Sequence, residues 1–352
     1  MPRTALQPVV WKPPAPTERA RERKGPHTMP PPELLPISGE GPEDVVVDAE
    51  GRLLCGVADG RILRLGPDGS VAETVADIAP GRPAGLQPLP DGRLLVCDAR
   101  LGRLLRVDPA VGTAVGTADR KAAVEVLADS VDGEPLRFCS NAVTAADGTV
   151  YFTESSRRWT IDDWKADILE HSGTGRLLRV GPDGGEPEVL LEGLQFANGV
   201  VLGPDEAWVA VAETGAYRVS RLWLAGGRAG DRDVLVELPG FPDNMSTGPS
   251  GVVWIAMPSH RDPVLDLLHR THPAVRRAVW ALPPRLQPAP ERTVWVIGVD
   301  SDGRVVHDLQ GPGDRFSQVT GVCEHGGRLY LGSLVERAVA VVPLPEAGRA
   351  SG

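Results

Sequence analysis

The chain has 352 residues and a formal net charge of −10 at pH 7. Its 41 glycines and 34 prolines make about one residue in five a turn-former, above average usage, which excludes a helical bundle and favours short strands joined by tight turns. A hydrophobic content of 41 % supports a large core and excludes a disordered chain, while the acidic balance argues against nucleic acid as a partner, because phosphate binding needs a basic surface.

Residues 1–32 are basic and proline-rich, with Pro13-Pro14 and Pro30-Pro31-Pro32, and contain no apolar run. They are expected to form an extended arm rather than a secretory signal. No stretch of about 18 apolar residues occurs, so no membrane span is expected and the cytoplasm is the expected location. Cys55, Cys97, Cys139 and Cys323 lie far apart, without a C-x-x-C pair. They are expected to be buried small hydrophobes in a reducing compartment.

From residue 33 to about 346 one phrase recurs: an Asp-Gly turn, an apolar strand, a short turn, and a second strand rich in Leu, Arg and Val. It runs from Asp48 to Gly69, from Pro90 to Asp108, from Asp147 to Glu154 with Gly175 to Gly184, and from Pro204 to Leu224. It returns at Gly251 to Ala256 with Val294 to Gly303, and at Gly326 to Gly332 with Ala338 to Val342. Six hairpin-pair units of four short strands predict an all-β, six-bladed β-propeller. The last blade is expected to be closed by a strand from the segment before Glu43, and residues 347–352 to form a tail.

Two insertions break the pattern, at about 155–171 and 259–283. Thr160 is a plausible N-cap for a first helix with Ile161, Trp164 and Ile168 on one face. Pro263 to Trp280 predicts one or two amphipathic helices, with Val264, Leu267 and Leu268 together, then Val275, Val279 and Trp280. Both insertions fit either rim decoration or a lid over a pocket. His269 and His272 are expected on a solvated helix face.

Corresponding blade positions converge on a propeller's axis, which would bring together Glu43, Asn141, Asn198, Asp243 and Asn244 at one channel mouth. Two carboxylates and three amides form a hard, all-oxygen donor set. Such a set suits Ca²⁺, whereas zinc would want His or Cys.

On Gly41-Pro-Glu43, Tyr151-Phe-Thr-Glu-Ser-Ser156, Gln195-Phe-Ala-Asn-Gly199, Leu238-Pro-Gly-Phe-Pro-Asp-Asn244 and Glu324-His-Gly-Gly-Arg-Leu-Tyr-Leu-Gly-Ser-Leu334, the chain resembles the strictosidine synthase-like proteins. These belong to the wider group of gluconolactonases, paraoxonases and related six-bladed calcium propellers. The resemblance spans roughly residues 33 to 343 and implies catalytic calcium ligands at Glu43, Asn141, Asn198, Asp243 and Asn244. Two departures matter. The glutamate that performs amine–aldehyde condensation in true strictosidine synthases is replaced by Thr320, and the position of a paraoxonase histidine is Ala84.

Three functions follow as expectations. The first is a calcium-dependent hydrolase of a lactone or activated ester, with Asp243 as catalytic carboxylate acting on a small-molecule substrate. The second is a metal-dependent cyclase or isomerase, and the third a non-enzymatic ligand-binding propeller. Cys139 is expected to be a packed thiol.

Overall fold

The computed structural model describes residues 4–22, 28–70, 73–109 and 122–344; the expected tail at 347–352 lies outside the described residues. Six four-stranded antiparallel sheets form the six-bladed propeller. The strand Glu33–Pro36 pairs with Ala338–Pro343, followed inwards by Arg328–Ser333 and Val319–His325, so the segment before Glu43 closes the last blade. Strands from opposite ends of the chain thus complete one sheet, which closes the ring of blades.

The innermost strands of blades one to five are Val45–Val47, Pro83–Pro88, Cys139–Thr144, Ala197–Leu202 and Met245–Thr247. The Asp-Gly turns of the repeat work as their chemistry predicts. At Asp91-Gly92 the aspartate carboxylate accepts from the Arg93 N–H at 3.0 Å, and Gly92 takes φ +84°, a conformation that glycine alone adopts without steric cost.

The repeated arginine has a structural task. Arg103, Arg176 and Arg218 each open the third strand of a blade and pair with Asp98, Glu154 and Glu213 at the end of the second. Each of these buried carboxylates also accepts a backbone N–H from the segment entering the innermost strand: Arg82, Arg137 and Gln195, at 3.0, 2.8 and 3.0 Å. In blades two, three and four one ion pair therefore fixes the hairpin and sets where the innermost strand begins. Trp208, Trp254 and Trp295 are buried among apolar residues between blades. Cys55, Cys97 and Cys139 are buried, while Cys323 is only half-buried.

The insertions interrupt blades three and five between second and third strands. In the first, Thr160 makes no side-chain cap. A 3-10 turn at Ile161–Asp163 precedes helix α2 (Trp164–Glu170), and Thr160 stays extended before it. The second insertion forms α3 (Pro263–Arg270) and α4 (Pro273–Ala281), capped by Asp262 and His272. Their inward faces differ from the expected stripe: Leu265 and His269 of α3 and Arg276 and Trp280 of α4 are buried, while Val264 and Leu267 are exposed.

The N-terminal segment crosses this cap as a strap. The Val9 N–H donates to the Glu170 carbonyl at 2.9 Å and the Trp11 N–H to that of His269 at 3.0 Å. Arg276 donates to the Val9 carbonyl at 2.7 Å and Arg261 to that of Pro14 at 2.6 Å. Trp11 stacks on His171, ring centroids 3.9 Å apart, and meets His269 edge-on. His269 is therefore buried in the cap rather than solvated, because the strap and α2 cover it. A short helix α1 (Glu18–Arg21) follows, and Arg19 pairs with Asp308 on the outer strand of blade five.

Candidate active site

Register, rather than sequence likeness, shows how the polar residues reach the axis. Val45, Leu86, Ala142, Val200, Met245 and Val322 pair with Cys55, Val96, Phe152, Val211, Ile255 and Leu331. Counting two back from each gives Glu43, Ala84, Ser140, Asn198, Asp243 and Thr320. Counting one back gives Asp44, Gly85, Asn141, Gly199, Asn244 and Gly321. In blades two, three, four and six a β-bulge falls at these residues, which turns successive side chains in towards the axis.

The five expected ligands therefore occupy two levels, not one set of matching positions. Glu43, Asn198 and Asp243 line a cavity of about 330 Å³ together with Ser140 and Thr320. Asn141 and Asn244 lie one level deeper. At that level polar residues and glycines alternate around the ring. The glycines are required by crowding: a Cβ on Gly85 would stand 2.6 Å from Asn141 Cα, and one on Gly321 2.7 Å from an Asp44 carboxylate oxygen.

Hydrogen bonds bind the two levels together. Asn244 Nδ2 donates to both Glu43 oxygens, at 3.2 and 3.1 Å, and Asn141 Nδ2 donates to Asn244 Oδ1 at 3.0 Å. Asn141 Oδ1 accepts from the Val200 N–H at 3.2 Å, so it also holds the blade-four bulge. Asp44, which sequence reasoning missed, does the same for blade two, accepting from the Leu86 N–H at 3.0 Å. The signal was available, since Asp44 follows Glu43 as Asn244 follows Asp243. Asn198 accepts from Ser140 Oγ at 3.0 Å and donates to Thr214 at 3.3 Å. Thr320 donates its hydroxyl to the Glu43 carbonyl at 2.6 Å. The position of the condensation glutamate thus holds a structural hydrogen bond and no carboxylate.

The electrostatics are those of a site short of positive charge. Burial pushes Glu43 well above the usual carboxylate range, and Asp243 and Asp44 push it further; Arg82 and the Asn244 hydrogen bond only oppose this. Burial likewise raises Asp243 to about 8 and Asp44 to about 7. Among the described residues none donates a hydrogen bond to the buried Oδ1 of Asp243. An unpartnered carboxylate oxygen, a second buried carboxylate and the neighbouring Asn198 amide form the start of a donor set that fits a hard divalent cation.

Above this floor the walls are largely apolar, with Lys165, Arg261, Asp262 and Glu291 also on the lining. Phe138, Phe196 and Phe241 come from the loops entering blades three to five, and Ile161, Trp164 and Leu265 come from the two insertions. The insertions are therefore a roof over the cavity and not rim decoration. Ala84 adds only a methyl group at the cavity-facing level. Cys139 is fully buried in an apolar cluster with Cys97, and burial raises its thiol well above the usual range, as a packed thiol requires.

A six-bladed propeller with an acidic, amide-rich axial floor under an apolar roof defines the class of the molecule. The chain belongs to the strictosidine synthase-like family. Residues 141–227 match strictosidine synthase and residues 32–65 the N-terminal part of the strictosidine synthase-like proteins. Adipocyte plasma membrane-associated protein of Rattus norvegicus is 34 % identical over 317 residues, covering 83 % of this chain and 80 % of its own. Strictosidine synthase-like protein 3 of Arabidopsis thaliana is 31 % identical over 335 residues, covering 87 % and 83 %. Among solved structures, a gluconolactonase of Xanthomonas campestris superposes with a TM-score of 0.61 at 19 % identity, covering 97 % of this chain and 99 % of its own. The calcium-binding protein regucalcin of Agrobacterium tumefaciens gives 0.61 at 15 %, covering 91 % and 96 %. At such identities these two share the fold.

Proposed function

We propose that this propeller is a calcium-dependent hydrolase of a lactone or activated ester, with Glu43, Asn141, Asn198, Asp243 and Asn244 as the residues that would hold the ion. The observation that carries the reading is the buried, unpartnered Oδ1 of Asp243 on the floor of a largely apolar cavity, beside a second buried carboxylate. A bound Ca²⁺ supplies Lewis acidity towards a carbonyl oxygen. Asp243 takes the proton of the attacking water as the new C–O bond forms, and returns it to the leaving alkoxide as the ester C–O bond breaks. Glu43 is fixed through both oxygens by Asn244 and acts by position. The apolar roof excludes bulk water and holds the acyl or aryl part of the substrate.

The test is metal content together with turnover on a panel of lactones and aryl esters, with and without chelator. The expected result is about one calcium per chain and turnover lost to chelator and restored by Ca²⁺. Asp243→Asn should lower kcat by at least about a hundredfold. Robust chelator-insensitive turnover would remove this mechanism. If a panel gives no turnover while Asp243→Ala lowers the melting temperature, the ligand-binding reading takes its place.

A further inference from the structure

We propose that the outer face of the cap is a docking surface for an anionic lipid bilayer. Seven of the fourteen large apolar side chains exposed among the described residues lie in two short segments, the strap and the second insertion. In the strap they are Val9 and Val10. In the insertion Leu267 is 62 % and Leu286 61 % exposed, and Val264 stands beside Leu267 on α3. Singly scattered apolar residues are ordinary on a protein surface, but such a concentration is not.

The helix geometry explains why they are left outside. The apolar arc of α3 includes Val264, Leu265, Leu267 and Leu268, yet only its Leu265 and His269 edge is buried, His269 under α2 and the strap. Leu265 lines the cavity, so the uncovered edge belongs to the element that roofs the site. The strap joins this surface because the Trp11 N–H is bonded to the His269 carbonyl at the end of α3.

Charge selects the partner. Residues 261–290 carry three exposed arginines, Arg270, Arg277 and Arg285, against Asp262 and Asp266, in a chain whose net charge is −10; Arg261 and Arg276 are buried. Both aspartates are already engaged. Asp262 accepts from the Val264 and Leu265 N–H groups, and Asp266 accepts from Arg261 and from Tyr217. Arg270 and Arg285 are exposed, as is Lys12 in the strap. Exposed aliphatic groups interspersed with cations form the amphipathic pattern that settles into an anionic headgroup layer. Each basic residue near such a surface strengthens binding roughly fivefold. The exposed apolar groups are valines and leucines, whereas protein hot spots favour Trp and Tyr.

The inference stands apart from the hydrolase reading, because vesicle binding is measured without turnover. The full chain is sedimented with vesicles of phosphatidylcholine alone and with vesicles containing roughly one-third phosphatidylglycerol. Binding is expected on the anionic vesicles at low salt and should weaken as salt rises. The double variant Leu267→Glu/Leu286→Glu should reduce partitioning at least about tenfold, and Arg270→Glu/Arg285→Glu should reduce it on anionic vesicles. Both should melt like the wild type, since the changed side chains are exposed. No partitioning of the folded wild type onto anionic vesicles at low salt would overturn the proposal. Concentration-dependent dimerisation abolished by Leu267→Glu/Leu286→Glu, with no vesicle binding, would overturn it in favour of a second copy of this chain.

Discussion

Replacing Gly85 by alanine tests whether crowding at the axis, rather than the turn, dictates glycine at the deeper level. The added Cβ would stand 2.6 Å from Asn141 Cα and 2.6 Å from the Ser140 carbonyl oxygen, both backbone atoms of the next blade. Carbon atoms pack at about 3.5–4.0 Å, so blades two and three must part by roughly 1 Å at the axis. Overpacking of this kind costs about 1–3 kcal/mol. Displacing Asn141 also weakens its bond with the Val200 N–H, worth about 1 kcal/mol. The expected loss of stability is about 3 kcal/mol, read as a lowered urea midpoint at unchanged slope. Gly92→Ala is the control. There φ is +84° but nothing lies within 4 Å of the added Cβ, so only left-handed strain of about 1–2 kcal/mol applies. Because Asn141 is a proposed ligand, Gly85→Ala should also weaken calcium binding at least about tenfold, measured by titration calorimetry, and Gly92→Ala should not. A Gly85→Ala protein as stable as the wild type would refute the crowding argument.

Two further outcomes follow from the cap. Arg276 is fully buried and donates to the carbonyls of Leu169, Glu170 and Val9, so Arg276→Met leaves buried acceptors unpaired. At about 1–3 kcal/mol for such a group, amide exchange over 164–170 should speed up by about a hundredfold, and unchanged protection would count against the cross-brace. Acid should loosen the same region. Burial holds His269 down to about 4 and His171 down to about 2. Arg276 pushes both the same way and His269 adds to the effect on His171; only the Ile168 carbonyl and Asp266 favour a charged His269. The unfolded chain binds these protons from about pH 6.5 downward and the folded cap does not. Stability is therefore present above that pH and lost as pH falls towards 4, by at most about 1.4 kcal/mol per unit for each histidine. The buried carboxylates Glu43, Asp44, Asp243 and Asp167 are raised and act with the opposite sign over the same range, so the histidine part is read as a difference. Between about pH 6.5 and about pH 4.5 the wild type should lose melting temperature relative to the double variant His171→Asn/His269→Gln, and parallel curves would refute it.

Most of the propeller was legible in the chain because hairpins are local. Asp-Gly turns, alternating apolar residues and the arginine near the start of the third strand in blades one to four are set within about twenty residues, and they repeat. The set of polar residues at the axis was legible for the same reason, since each precedes a strand that could be counted. Their levels were not. Whether a residue faces the cavity or the layer beneath depends on a bulge and on the partner strand's register, so Asn141 and Asn198 look alike in sequence yet stand at different depths, and Asp44 passed unnoticed.

The cap was the least legible part. Amphipathic spacing located α3 and α4 but could not say which part of the apolar arc the cavity, α2 and the strap would cover. Nor could it place residues 4–17 across helices that follow about 150 and 250 residues later. The sequence by itself determined the repeating blades, their closure and the chemistry of the axial donors, because each rests on short-range turn and strand physics. Only the tertiary structure decided the two-level floor, the buried His269 and the exposed leucines, because these depend on which surfaces meet when distant segments pack together.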